Sequence, residues 1–195
     1  MSKKEIKPST MLNPVPVVMV SSGDMEKSNI FTAAWTGTIC SEPPMVYVSI
    51  RKSRYSHEII SEKGTYVINM VGKDTVKACD FCGVKSGRDV DKFAHLGLTK
   101  EAGPKTGVPM IKECPVNLEC KVTQVLELGS HDMFLAEVVG VYVDGKLMDD
   151  KNAIDLVKAH LVAYSHGEYF ELGDYKGFFG YSIAGEDALK RRLRK

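Results

Sequence analysis

The sequence has no apolar run long enough to cross a membrane as a helix. The lysines near its start lead into a proline-broken stretch, not into the apolar core of a signal peptide. Neither a membrane anchor nor a secretory leader is therefore expected. An excess of one charge sign is missing too: 26 Lys+Arg against 25 Asp+Glu leave a formal net charge of +1. No global field draws such a chain to nucleic acid or to an anionic membrane, so any anion site must be local. The G-x-G-x-x-G fingerprint, the G-x-x-x-x-G-K-[ST] loop and a Ser-His-Asp arrangement are all absent, which removes the usual dinucleotide, NTPase and hydrolase readings. Cysteine is scarce and odd in number: Cys40, Cys79, Cys82, Cys114 and Cys120. A chain of this size folds without covalent staples, so these thiols point to a reducing compartment, with the cytoplasm as the expected location. Cys79 and Cys82 have the spacing of a redox pair or half a zinc site, but no second pair follows at ligand spacing and His95 stands alone. No metal is expected, and structural thiols are the preferred reading.

What is present is strand signal. The 195 residues, 44% hydrophobic and 26% charged, suffice for one globular domain over 1–195. Runs rich in Val, Ile, Tyr and Thr occur at 15–20, 30–39, 45–50, 66–70, 116–128 and 133–143. In 116–123, Val116, Leu118, Cys120 and Val122 alternate with Asn117, Glu119, Lys121 and Thr123, the period of a half-buried antiparallel strand. Residues 129–132 join it to the next run as a hairpin. The 45–50 run is apolar at nearly every position, which predicts a central strand covered on both faces. Helices are expected at 54–63, 74–80, 88–96 and 186–194, and 98–113 reads as a long loop. Strands without regular βαβ alternation predict a mainly β chain with short helices, a β-barrel of α+β type.

The densest polar cluster is Ser49-Ile50-Arg51-Lys52-Ser53-Arg54-Tyr55-Ser56-His57, where a strand ends and a helix begins. The unpaired N–H groups and positive dipole end of a helix favour an anion there. Arg51 and Arg54 offer forked, charge-assisted hydrogen bonds to phosphate oxygens, and Ser49, Ser53 and Ser56 offer shorter ones. The competing reading is a solvated basic turn with Ser53 or Ser56 as helix cap, and residue types alone leave the two level. Upstream, residues 28–36 place Ala33 and Ala34 in mid-strand, leaving backbone room for a flat ring; ordinary core packing is the alternative. Cys40 closes that strand, facing the same pocket or packing as a small buried hydrophobe. His131, at the hairpin turn, and His160 and His166 further on are candidate pocket groups, with packing roles as the alternative.

Four stretches occur together in an informative order: NIFTAAW (29–35), SEPPMVYVSIRKSRYS (41–56), SGRDVDKF (86–93) and ELGSHDMFLAEVVGV (127–141). In them the chain resembles the flavin reductase-like, FMN-binding split-barrel family, in particular its flavoredoxin-like branch. The resemblance implies a six-stranded antiparallel split β-barrel, FMN as cofactor, and a homodimer with the flavin near the subunit interface. By position, Asn29, Thr32, Ala33 and Ala34 would border the ring and ribityl chain. Ser49, Arg51, Ser53, Arg54 and Ser56 would hold the phosphate, which Lys92 also reaches, and Ser86 and Arg88 are further candidates. His131 matches the histidine that lies near the nicotinamide in reductase members, the catalytic candidate. The core would span about 13–145, with 146–195 as an extension whose segment 160–175 matches loosely. The implied activity is NAD(P)H-dependent flavin or ferric reduction. The alternatives are electron transfer of flavoredoxin type, with a reduced carrier protein as donor, and a flavin-free structural or binding protein.

Overall fold

The computed structural model describes residues 2–193. The first elements are β1 (Val15–Pro16), β2 (Val18–Gly23), β3 (Ser28–Ala33), β4 (Thr36–Ser41), β5 (Pro44–Arg51), α1 (Tyr55–Lys63) and β6 (Thr65–Met70). A 3-10 turn at Lys73–Thr75 leads into α2 (Val76–Val84), followed by α3 (Lys92–Leu96), β7 (Lys100–Ala102) and β8 (Pro109–Ile111). The long hairpin β9 (Val116–Leu128) and β10 (His131–Val143) precedes β11 (Val162–Ser165), β12 (Glu168–Glu171) and α4 (Glu186–Arg192).

Alternation along the strands divides the apolar residues between two cores. Val18 and Val20 of β2 face inward with Phe31, Val46, Val48, Ile50, Tyr66, Ile68, Phe134 and Ala136, filling the barrel. Met19, between them, faces outward and packs with Ile30, Val71, Cys79, Cys82, Phe93 and Cys114 beneath α2 and α3. Each large aliphatic or aromatic side chain so buried contributes about 1.5–3 kcal/mol. Ile60 of α1 joins the barrel core, so α1 plugs one end of the barrel. Gly64, left-handed at φ 66°, stops that helix, and its N–H donates to the Ile60 carbonyl.

The main sheet has the order β3-β2-β6-β9-β10-β5-β4, antiparallel at every pairing. It carries seven strands, one more than the six expected, because the 30–39 run breaks at Ala34-Trp35 into β3 and β4. Consecutive in sequence, these two strands lie at opposite edges of the sheet, so the sheet curls into a barrel and Ala34-Trp35 crosses its gap. A separate three-stranded sheet, β1-β11-β12, adds the C-terminal hairpin beside β1.

Other expectations shift. The 45–50 strand is buried on one face only: Val46, Val48 and Ile50 point inward while Met45, Tyr47 and Ser49 are half-exposed, since no layer of the chain covers the barrel wall there. The 98–113 loop contains the β7–β8 hairpin. The buried Glu119 organises it, accepting hydrogen bonds from Lys105 N, Thr106 N and Oγ1, and the Tyr142 hydroxyl. The helix expected from 88 begins at Lys92, where the Asp91 side chain caps it by accepting from Ala94 N at 3.1 Å. The last helix ends at Arg192, and residue 194 of the expected span lies outside the described residues. Among the described residues no helix is long and apolar enough to cross a membrane.

Candidate functional site

The split in the barrel is the site. The Ser49 N–H donates to the Trp35 carbonyl at 2.8 Å, holding the end of β5 against the crossing segment. A cleft of about 410 Å³ opens here between Phe31–Trp35, Ser49–Arg51, Arg54 and His131 on one side and Val17, Gly83, Tyr164 and Tyr169 on the other. It continues past Phe31, Thr32, Arg54 and Gly83 into a smaller chamber of about 140 Å³. That chamber is walled by Asn29, Ser53, Ser56, Cys82, Lys85, Ser86, Gly87 and Lys92 among others.

The ten residues that the resemblance assigns to the flavin, and His131, stand on these walls. Thr32, Ala33, Ala34, Ser49, Arg51, Arg54 and His131 line the larger cleft. Asn29, Thr32, Ser53, Arg54, Ser56 and Lys92 line the smaller chamber. The floor of the chamber is a hydrogen-bonded set. Asn29 Nδ2 donates to Ser56 Oγ at 2.8 Å and Ser22 Oγ approaches the same oxygen at 3.4 Å, which leaves the Ser56 hydroxyl proton to point elsewhere. Gly87 closes over Asn29: a methyl group there would stand 2.0 Å from Asn29 Oδ1. Thr32 Oγ1 donates to the Cys79 carbonyl and so ties β3 to α2.

The charges of the site are of one sign. No carboxylate lines either chamber, and among the described residues neither Arg51 nor Arg54 has an acidic partner within 4 Å. Lys92 is only 3% exposed. Its Nζ donates to the Ile30 carbonyl at 2.6 Å and the Cys82 carbonyl at 2.8 Å. An ammonium has three donors, so one remains after these two carbonyls. Burial first, and the nearby Arg54 guanidinium as well, hold the Lys92 pKa below its usual range. His131 opens β10 opposite Arg51 in the strand register, one residue beyond the turn in which it was expected, because the hairpin loop is only Gly129-Ser130. Burial, then Arg51, lowers its pKa, so the imidazole is neutral at pH 7.

Several candidates fall elsewhere. Arg88 turns away from the chamber to pair with Glu58 at 2.9 Å and to cover the Tyr55 ring. Cys40 does not line the cleft; its thiol sits 3.4 Å from the Glu42 carbonyl, since the chain has by then moved to the far edge strand. His160 pairs with Glu171 and His166 occupies the β11–β12 turn, both off the cleft. Cys79 and Cys82 are buried residues of α2, Cys82 on the wall of the smaller chamber, and burial pushes their thiols up to about 12 and about 11, as befits packing groups. Tyr164 and Tyr169 also line the cleft, and no sequence motif marks them as site residues. They are directly opposed across β11–β12 with ring centroids 5.6 Å apart, and Tyr169 is held by its hydroxyl on Asp80 at 3.0 Å. The tyrosines flanking His166-Gly167 in AYSHGEYF are a hairpin signal that could have located them.

A barrel that curls from one antiparallel sheet, stays split at Ala34-Trp35, and places an electropositive cleft in the split defines a split-barrel protein of flavin reductase type. The chain belongs to the family described as the flavin reductase like domain, whose model matches residues 10–173. Among solved structures, the flavoredoxin of Desulfovibrio vulgaris (Miyazaki F) superposes with a TM-score of 0.86 at 32% identity, over 93% of this chain and 99% of that one. The flavoredoxin of Methanosarcina acetivorans gives a TM-score of 0.84 at 28% identity, over 96% of this chain and all of that one. Among curated proteins, the FMN reductase (NADH) RutF of Pseudomonas syringae pv. syringae is 32% identical over 111 residues, 57% of this chain and 60% of that one.

Proposed function

We propose that this chain binds FMN, ring in the larger cleft and phosphate in the smaller chamber, and acts as an NAD(P)H-dependent flavin or ferric reductase. The observation that carries this reading is Lys92. Among the described residues this cation, at 3% exposure, meets two carbonyls and no counter-ion, and an isolated buried charge is costly. A phosphate dianion entering the adjoining chamber provides the missing partner. Arg51 and Arg54, free of carboxylates, add forked donors, and Ser53 and Ser56 add hydroxyls. At about 410 Å³ the larger cleft is within the usual range for small-molecule sites. Asn29 borders the chamber floor, and Thr32, Ala33 and Ala34 bring main chain and small side chains against the ring. The smaller chamber suits a terminal phosphate better than a nucleotide extension, which favours FMN over FAD.

FMN, when bound, supplies the hydride and one-electron chemistry. The protein's part is to bind, orient and shield. The neutral His131 is assigned a hydrogen bond to the nicotinamide of the donor. We read the chain as one domain of this kind that works as a homodimer. The half-exposed outer face of β5 supports pairing, as does an apolar hollow lined by Leu12, Val15, Trp35, Tyr47 and Met133, which adjoins the cleft at Ala34 and Ser49. Similarity to two flavoredoxins along more than nine-tenths of the chain supports a second reading, electron transfer with a reduced carrier protein as donor.

The deciding experiment is the absorption spectrum of the purified protein, followed by anaerobic addition of NADH and then NADPH. A yellow protein that releases FMN on denaturation and is bleached by nicotinamide is expected. A flavin bleached only by a reduced carrier protein selects the second reading, and a colourless protein that FMN does not reconstitute overturns both. A smaller perturbation tests the chamber floor. Gly87→Ala must push the Asn29 amide away from Ser56, so FMN titration is expected to show a loss of about fivefold, the worth of one neutral hydrogen bond.

A further inference from the structure

The turn carries more basic side chains than a phosphate needs: Arg51, Lys52, Arg54 and His57 fall within seven residues. One buried carboxylate sorts them. Asp132 follows His131 on β10 and, by strand alternation, points to the opposite face, into the barrel end that α1 plugs. It is 5% exposed. Its Oδ2 lies 2.7 Å from His57 Nε2, and Lys52 Nζ lies 3.4 Å from Oδ1 and 2.7 Å from Glu127 Oε2. The His57 ring also packs edge-on against Phe134, with centroids 5.2 Å apart, which gives the imidazole an apolar seat as well as a hydrogen-bonded one. Lys52 and His57 bracket Arg54 in sequence, and both are drawn to this carboxylate. Arg51 and Arg54 have no such partner and line the cleft.

We infer that Asp132 is a positioning residue for the anion site: by gathering Lys52 and His57 it pins the turn and the first turn of α1, leaving the Arg51 and Arg54 guanidiniums free for the ligand. The inference rests on the phosphate-binding reading above. Its physical basis is preorganisation: a turn held from both sides has less ordering to lose when the ligand arrives. The hydrogen bonds to a buried carboxylate set that geometry more firmly than surface pairs do.

The test compares dissociation constants for FMN and riboflavin, which differ only in the phosphate, by fluorescence titration of the full chain. For Asp132→Asn and for His57→Ala, FMN affinity is expected to fall about tenfold, roughly one charge-assisted hydrogen bond, with riboflavin nearly unchanged. His57→Gln keeps a donor that reaches Asp132 and is expected to restore most of the loss. Should Asp132→Asn fail to fold, the two His57 variants carry the test. Folded variants that keep the wild-type FMN-to-riboflavin ratio, or that weaken both ligands alike, overturn the inference. A wild-type protein with no preference for FMN over riboflavin overturns the phosphate reading itself, and the inference with it.

Discussion

Replacing Arg51 and Arg54 together by alanine is expected to lower FMN affinity about a hundredfold while riboflavin affinity changes by less than about threefold. Each guanidinium offers a forked, charge-assisted contact to phosphate, worth about 1.5–3 kcal/mol when fully formed. Both side chains are exposed without ligand, so solvent screening reduces the joint effect toward the lower end of that range. Neither arginine has a carboxylate to lose, so removing them leaves no buried charge unpaired and the fold should tolerate the change. Raising the salt concentration should weaken FMN and not riboflavin in the wild type, and this salt dependence should flatten in the double variant. Parallel titrations of the two flavins check all of this. Equal losses for both would mean that the arginines support the fold and not the phosphate.

The second large effect concerns Lys92. Lys92→Met removes the donor to the Ile30 and Cys82 carbonyls and so one of the links between β3 and α2, leaving that of Thr32. With two acceptors left short of a partner the cost is about 2–4 kcal/mol, read as a drop of roughly 10 °C in melting temperature. FMN binding should be lost more completely than in either single arginine variant, because this cation is already desolvated.

The wild type should also show a pH signature with two opposite signs. Lys92 has a pKa lowered by burial in the folded chain. Between that value and the ordinary lysine value the unfolded chain binds more protons than the folded one, so the stability of the ligand-free protein rises with pH across this window. If Lys92 holds the phosphate as proposed, FMN affinity falls across the same window, because the ammonium is losing its proton. At the acid end, affinity also falls as the phosphate takes up its second proton near pH 6. Lys92→Met should abolish the alkaline limb of the affinity profile and retain the acid one. Denaturation and titration series at matched pH check both limbs, and an unchanged alkaline limb in the variant would remove Lys92 from the site.

Local patterns were legible where a single physical rule operated. The alternation in 116–123 is a strand because one face is wet and the other packed, and β9 spans it. The charge and hydroxyl density of 49–57 marked the turn into α1, with Gly64 as its stop. The run 30–39 reads as one strand because the place where it breaks carries no breaker: Ala34 and Trp35 are apolar, with neither proline nor glycine beside them, and Gly37 lies further on, inside β4. It breaks there because β3 pairs with β2 and β4 pairs with β5, which puts β3 and β4 at opposite edges of the sheet. The half-exposed outer face of β5 was equally hidden, since an apolar run does not record which layers surround it. Tyr164 and Tyr169 reach the cleft from more than a hundred residues away, through pairing of β11 with β1.

The sequence by itself determined the barrel-forming strands and the makeup of the anion-suited turn, because both are set by side-chain chemistry over a few adjacent residues. Only the tertiary structure decided that the barrel stays split at Ala34-Trp35. It also decided that Lys92 is buried beside that split and that Asp132 claims Lys52 and His57, with no acidic partner for Lys92, Arg51 or Arg54 among the described residues. Those outcomes depend on which strand edges and which charges meet across long stretches of chain, and local preference carries no information about such meetings.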